Sequence, residues 1–268
     1  MFLTGRPLVQ RGRCTLGRES AIERIEWRDG WPWLAAGGRL ARREVEAPDL
    51  PVHAFAAEPE RDDFDSPDLN IHFQSLRVPM TEDWVSLRAR PGNLRLYGRE
   101  SLGSTFRQSL VARRVQSHHI EAVTSLEFEP GNFQQMAGLV CYYNTNHYHY
   151  LYVHGDDYGK TSGRKFISVL TCNKYVTEEP ADNTIEISGA ETVHMKVDFD
   201  HAELRFFYRL DEGQWQPIGG VLDGSILSDD YVENIEVMFR PCFTGAFVGL
   251  ACQDLSGQGI HADFDYFE

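Results

Sequence analysis

The chain has 268 residues, 42% hydrophobic and 12% aromatic, enough for one large domain or two small ones with a sizeable core. Its formal charge of −14 and pI near 5.1 repel phosphate backbones and anionic bilayers, which excludes nucleic acid and membrane surfaces as partners and leaves a neutral ligand such as a sugar compatible. No stretch approaches the roughly 18 apolar residues of a membrane span.

Residues 22–27 and 31–35 carry strand signals, with Asp29-Gly30 as a hairpin turn between them, and residues 39–46 show no clear period. Residues 1–48 are too few for an independent core. They match the length of one four-stranded propeller blade, whose faces call for neighbours. Residues 47–60 carry three prolines, Pro48, Pro51 and Pro59, and no period, which marks 49–60 as a linker lying along a surface.

From Asp62 onward short strands follow one another. The pattern predicts strands over 94–97, 109–114 and 120–128, with a turn region at 98–103. A hairpin is expected over 137–143 and 148–154 around Asn144-Thr145-Asn146, then a strand over 166–172. A second hairpin spans 192–199 and 203–210 around Asp200-His201, with Leu204, Phe206, Tyr208 and Leu210 in the period-2 pattern of a half-buried strand. Trp215 follows the Asp211-Glu212-Gly213 turn, and 232–239 is a further predicted strand. In the last stretch, Val248, Leu250 and Cys252 alternate with Gly249, Ala251 and Gln253. Ser256-Gly257-Gln258-Gly259 is turn chemistry, and Phe264, Tyr266 and Phe267 close the chain. So apolar a final strand must be paired. Its natural partner is the other D-F-D run, Asp63-Phe64-Asp65, which places the first and last strands of residues 61–268 side by side. No run shows a sustained 3.6 period, so the fold is all-β, a sandwich or a barrel.

L-T-G-R-P-L (residues 3–8), L-G-R-E-S-A-I (16–22), L-R-L-Y-G-R-E-S (94–101), F-T-G-A-F-V-G (243–249) and D-F-D-Y-F (263–267) occur in order along the chain. Together they resemble the C-terminal half of bacterial β-xylosidases of glycoside hydrolase family 43. The resemblance implies a concanavalin A-like, jelly-roll β-sandwich over 61–268, preceded in 1–48 by the end of a five-bladed propeller. It also implies an inverting hydrolase of xylo-oligosaccharide ends whose general base, pKa-modulating aspartate and general acid lie on earlier blades. The chain is thus expected to be the C-terminal portion of such an enzyme, from a split or truncated gene, non-catalytic alone and completing the active site of an N-terminal propeller portion. A stand-alone lectin-like carbohydrate-binding module is the alternative, for which Tyr142, Tyr143, Tyr148, Tyr150 and Tyr152 would supply an exposed platform, although alternating tyrosines fit sheet packing equally well. Homo-oligomer formation stays open.

By the same resemblance Arg18 matches the arginine that donates to sugar hydroxyls, as a fixed fork of donors suits vicinal oxygens. The competing role is a propeller-closing ion pair with Glu19 or Glu23. Ser20 stands where the family usually has Thr, and the hydroxyl is kept. Phe243 matches the ring that a sandwich loop inserts into the active-site mouth; its competing role is ordinary packing. Asp63 and Asp265, on the two paired runs, would hold a structural calcium, since gathered carboxylates want an oxygen-liking cation. Solvated edge carboxylates are the alternative. His147 and His149 lack a third ligand in motif spacing and read as structural or exposed. The acidic pairs Asp156-Asp157, Glu178-Glu179 and Asp229-Asp230 read as turn or solvent residues. Five cysteines in no C-x-x-C pair read as buried free thiols of a reducing compartment. With no apolar leader in residues 1–7, the cytoplasm is the expected location.

Overall fold

The computed structural model describes residues 1–10, 12–156, 163–180, 183–233 and 242–268. In the first sixty residues two short antiparallel pairs form, β1 (Phe2–Thr4) with β2 (Glu19–Ala21) and β3 (Ile25–Arg28) with β4 (Trp31–Leu34). Asp29 and Gly30 turn the second pair with positive φ at both positions, as a tight hairpin requires. The chain then runs through β5 (Val85–Ser86), β6 (Leu94–Tyr97), β7 (Ser109–Arg114) and β8 (His119–Glu127). The hairpin of β9 (Gln135–Asn144) and β10 (His147–Gly155) follows, then β11 (Lys165–Asn173), β12 (Val176–Glu178) and β13 (Ile185–Glu186). A second hairpin, β14 (Val193–Asp200) and β15 (Glu203–Leu210), leads into β16 (Gln216–Asp223). A 3-10 turn (Gly224–Leu227) and the four-residue helix α1 (Asp229–Val232) come next, then β17 (Phe247–Asp254) and β18 (His261–Phe267).

The strands after β4 form two antiparallel sheets. One has the order β16-β15-β14-β8-β18-β6-β5, and the other β12-β11-β10-β9-β17-β7 with β13 also on β11. Alternation decides which side chains go between them. Val193, Met195, Val197 and Phe199 of β14 and Leu204, Phe206 and Tyr208 of β15 point inward against Leu139, Leu151, Val153, Ile167 and Val169 of the opposite sheet. The result is a sandwich, one of the two forms that the strand pattern left open and the one that the resemblance implied.

The second sheet is buried on its outer face too. Tyr142, Tyr148, Tyr150 and Tyr152 pack there with Leu102, Leu110, Val140 and Cys172. Tyr142 donates to the Leu102 carbonyl at 3.1 Å, Tyr150 to that of Ala251 at 3.2 Å and Tyr152 to Glu179 at 2.9 Å. Tyr143 turns the other way, into the core between the sheets. All five tyrosines are buried, so the exposed platform on which a lectin-like module would rest does not form. Leu102 and Glu179, the latter just after β12, accept from Tyr142 and Tyr152, while Tyr150 bonds within its own sheet to Ala251 of β17.

Several expectations need correction. The closing strand takes β6 and β8 as its ladder partners, not the Asp62–Asp65 run. That run does lie beside it, but through a single bridge in which Asp62 and Phe267 exchange both backbone bonds, at 2.8 and 2.9 Å. The chain then breaks from extended geometry at Phe64, whose φ is 57°, because burying that ring takes precedence over continuing the strand. Asp63 and Asp65 therefore do not share a strand face. β17 and β18 belong to opposite sheets, so the Gly-rich turn crosses the sandwich. β16, with its Gly219-Gly220 bulge, breaks the alternation on which prediction relied. Of the predicted strand over 232–239, Val232 ends α1 and 234–239 lie outside the described residues.

Cys141, Cys172 and Cys252 are buried, Cys14 and Cys242 are half-buried, and among the described residues no disulfide forms. Among the described residues no helix is long and apolar enough to cross a membrane. Trp27, Trp31, Trp33, Ile25 and Leu3 are exposed on the small N-terminal pairs.

His147 and His149 face inward from β10. His149 bonds Thr171 at 2.9 Å and the Asp223 carbonyl at 3.1 Å, while His147 sits edge-on to Tyr231. Burial pushes both imidazoles down to about 4. The unfolded chain therefore takes up protons near pH 6.5 that the folded chain refuses. Their stabilisation is complete above that pH and is lost as the pH falls toward 4. Denaturant titrations at pH 7.5 and 5 are expected to show a loss on the order of 2 kcal/mol per histidine, reduced in a His149→Gln variant. Equal stability at the two pH values would contradict the burial argument.

Candidate functional site

Two of the sequence motifs meet at the edge of the sandwich. Gly17 and Gly245 both adopt left-handed backbone, with φ of 69° and 70°. A Cβ on Gly17 would stand 2.5 Å from the Gly245 nitrogen, and one on Gly245 would stand 2.5 Å from that of Gly17. Only glycine permits both the conformation and the approach. The L-G-R-E-S and F-T-G-A segments are therefore in direct backbone contact.

Backbone hydrogen bonds fix the register of that contact. Arg18 N–H donates to the Phe243 carbonyl at 3.2 Å, Ala246 N–H to Thr15 at 2.7 Å and Asp229 N–H to Cys14 at 3.2 Å. Arg114 of β7 donates to the carbonyls of Leu16 and Arg18. Leu16 is buried in the main sandwich core, so this part of the first sixty residues is seated on the sandwich.

Arg18 and Phe243, the two candidate sugar contacts, come together here. The Arg18 guanidinium carbon lies 5.0 Å from the centre of the Phe243 ring. Phe243 is 50% exposed, so the ring projects and does not pack in the core. Arg18 pairs with neither Glu19 nor Glu23. Those carboxylates are taken by Arg6 and Arg42, and Arg18 Nη1 donates instead to Asp229 Oδ2 at 3.1 Å.

Asp229 and Asp230 are expected to be turn or solvent residues; the structure overturns that for Asp229, while Asp230 is exposed and also binds backbone. Asp229 is fully buried, and its Oδ1 also accepts from Tyr143 Oη at 2.8 Å and from Gly245 N–H at 3.0 Å. Burial pushes its pKa up, against the hydrogen bonds from Tyr143 and Gly245 and the charge of Arg18, which pull it down. Asp230 accepts from the backbone N–H groups of Arg13 and Cys14, at 2.7 and 2.9 Å. No sequence spacing links positions 211 residues apart, which is why the Arg18–Asp229 pair could not be read in advance. Of the other acidic pairs, Asp156 pairs with Arg164 and Glu179 accepts from Tyr152, while Asp157 lies outside the described residues.

Asp63 and Asp265 are the candidate calcium ligands. Both are exposed, Asp63 pairs with Arg61, and among the described residues no three His, Cys, Asp or Glu side chains gather at metal-binding distance. The buried carboxylate of the closing run is Asp263. Burial works against its charge, but Arg95 (2.7 and 2.8 Å) and Arg90 (3.0 Å) outweigh that and hold its pKa below the ordinary value. Arg61 stacks over Tyr266 at 3.8 Å, so a guanidinium already joins the first run to the last strand. Arg61→Ala is expected to lower stability by roughly 1 kcal/mol, about 2–4 °C in Tm, while a calcium chelator leaves the unmutated Tm unchanged. A Tm that falls on chelation and recovers with calcium would give the role to a cation on Asp63 and Asp265.

The model of one family, the β-xylosidase C-terminal concanavalin A-like domain, matches residues 61–268. A β-xylosidase of Bacillus subtilis (strain 168) is 43% identical, the match covering 99% of this chain and 50% of that protein. A putative β-xylosidase of Escherichia coli (strain K12) is 45% identical over 99% of this chain and 49% of its own. The crystal structure of a xylan β-1,4-xylosidase from Bacillus halodurans C-125 superposes with a TM-score of 0.90 at 42% identity, covering 99% of this chain and 49% of that one. The chain thus spans about half the length of these relatives.

Proposed function

The chain belongs to the family of β-xylosidase C-terminal concanavalin A-like domains, and from that premise we propose that it is the C-terminal portion of a β-xylosidase, completing an active site carried by a propeller portion that precedes it. The observation that carries this reading is the pairing of Arg18 with the half-exposed Phe243 ring, 5.0 Å apart at a glycine-locked junction. Arg18 would donate to vicinal hydroxyls of a terminal xylose, and Phe243 would close one side of the pocket and limit it to the ends of xylo-oligosaccharides. The exposed Trp27, Trp31 and Trp33 would be covered by the other blades.

Inversion needs one carboxyl to protonate the leaving oxygen and a second, roughly 6.5–9.5 Å away, to activate water. Asp229, the buried carboxylate at the junction, lies under three donors and is not available as a base. In this reading the acid and base both come from the preceding portion, in the same or a separate chain.

The test is Phe243→Ala in a fusion of this chain to the unmatched half of the Bacillus subtilis β-xylosidase. kcat/KM on xylobiose is expected to fall about tenfold, equivalent to ~1.4 kcal/mol. Tm should change little, because a half-exposed ring does not carry the roughly 3–5 kcal/mol of a core aromatic. Unchanged kcat/KM beside a large loss of Tm would make Phe243 a packing residue and defeat the proposal.

A further inference from the structure

We propose that Asp229 is the positioning residue of the sugar site: one buried carboxylate of the sandwich holds both the Arg18 guanidinium and the loop that carries Phe243. The inference rests on the reading of Arg18 and Phe243 as sugar contacts and adds a residue that none of the sequence motifs contains.

The geometry divides the carboxylate between two tasks. Oδ2 faces Arg18 Nη1 at 3.1 Å, and Oδ1 receives Tyr143 Oη at 2.8 Å and Gly245 N–H at 3.0 Å. Gly245 lies two residues beyond Phe243, so the same oxygen that Tyr143 anchors also sets the loop on which the ring is mounted. Tyr143 belongs to β9 and is packed in the main core. The guanidinium is therefore referenced to the rigid sandwich and not only to the small N-terminal sheets around it.

A guanidinium has five donor hydrogens, and contacts to Asp229 and to the neighbouring Cys14 thiol leave others for a ligand. Arg18 is 30% exposed in its side chain while Asp229 is 1% exposed, so the open side of the pair is the arginine side. An arginine on a free stem samples many rotamers and loses that freedom when a sugar binds. Holding it beforehand removes part of that loss and aims the donors. No other carboxylate on the segment competes, because Glu19 and Glu23 are held by Arg6 and Arg42. Asp230 grips the backbone four and five residues before Arg18, through Cys14 and Arg13, which stops the segment from sliding as a unit.

A double-mutant cycle in the fusion to the unmatched half of the Bacillus subtilis β-xylosidase tests this. Asp229→Asn keeps an oxygen for Tyr143 and Gly245 but turns an amide donor toward Arg18. With an aryl xyloside it is expected to lower kcat/KM about tenfold or more, mainly through kcat. Arg18→Ala should lower it at least as far, and adding Asp229→Asn to Arg18→Ala should cost nothing further. Tyr143→Phe, which leaves the Gly245 and Arg18 bonds in place, should give a smaller fall and covers the case in which Asp229→Asn folds poorly. A loss from Asp229→Asn that is the same with and without Arg18, or a fall in Tm with kcat/KM unchanged, would make the carboxylate purely structural and overturn the inference. If Arg18→Ala lowers kcat/KM while Asp229→Asn does not, this inference alone fails. If Arg18→Ala leaves kcat/KM unchanged, the sugar-contact reading fails and takes the inference with it.

Discussion

A carboxylate taken out of water costs several kcal/mol unless donors surround it, and that constraint shapes the junction between the first twenty residues and the sandwich. Asp229 is fully buried and has an arginine, a tyrosine hydroxyl and a backbone N–H around it. Each donor comes from a different place: Arg18 from the N-terminal segment, Tyr143 from β9 and Gly245 from the loop before β17. The carboxylate can be satisfied only when all three arrive together. The glycine pair allows that convergence, since any side chain at Gly17 or Gly245 would push the two backbones apart.

The second sheet explains how the junction stays rigid. Its tyrosine row packs on the outer face while its aliphatic residues fill the inner one, so β9, β10 and β17 are held from both sides. Tyr143 and the loop leading into β17 inherit that rigidity, and the projecting Phe243 ring is mounted on it. The contrast with the N-terminal pairs is sharp. β3 is exposed along its whole length and β4 nearly so, with three tryptophans open to solvent. A surface so apolar in a chain of net charge −14 fits a face made to be covered.

Much of the fold was legible because local pattern and tertiary position agree. β6 and β7 fall where the sequence places them, and the β14–β15 hairpin does so to within a residue, since alternation there reports one buried face. Legibility failed where that agreement fails. β16 bulges at Gly219-Gly220, and the Asp62–Asp65 run looks like a strand but is bent by the buried Phe64. Arg18 and Phe243 could be singled out through the motifs they sit in. Their mutual contact and the role of Asp229 could not, because ion-pair partners 211 residues apart leave no spacing to read. The nearest signal was Asp229-Asp230 itself, an acidic pair beside the aromatic Tyr231, which resembles a surface turn as closely as a buried clamp.

The central claim is that this sandwich finishes a site that another portion begins. Complementation in trans addresses it most directly. The chain and the separately produced unmatched half of the Bacillus subtilis β-xylosidase would be titrated against each other while aryl xyloside hydrolysis is followed. The expected result is little turnover from either alone and a rate that rises and saturates as this chain is added. A half that hydrolyses the xyloside equally well with and without this chain, although the two bind, would contradict the claim.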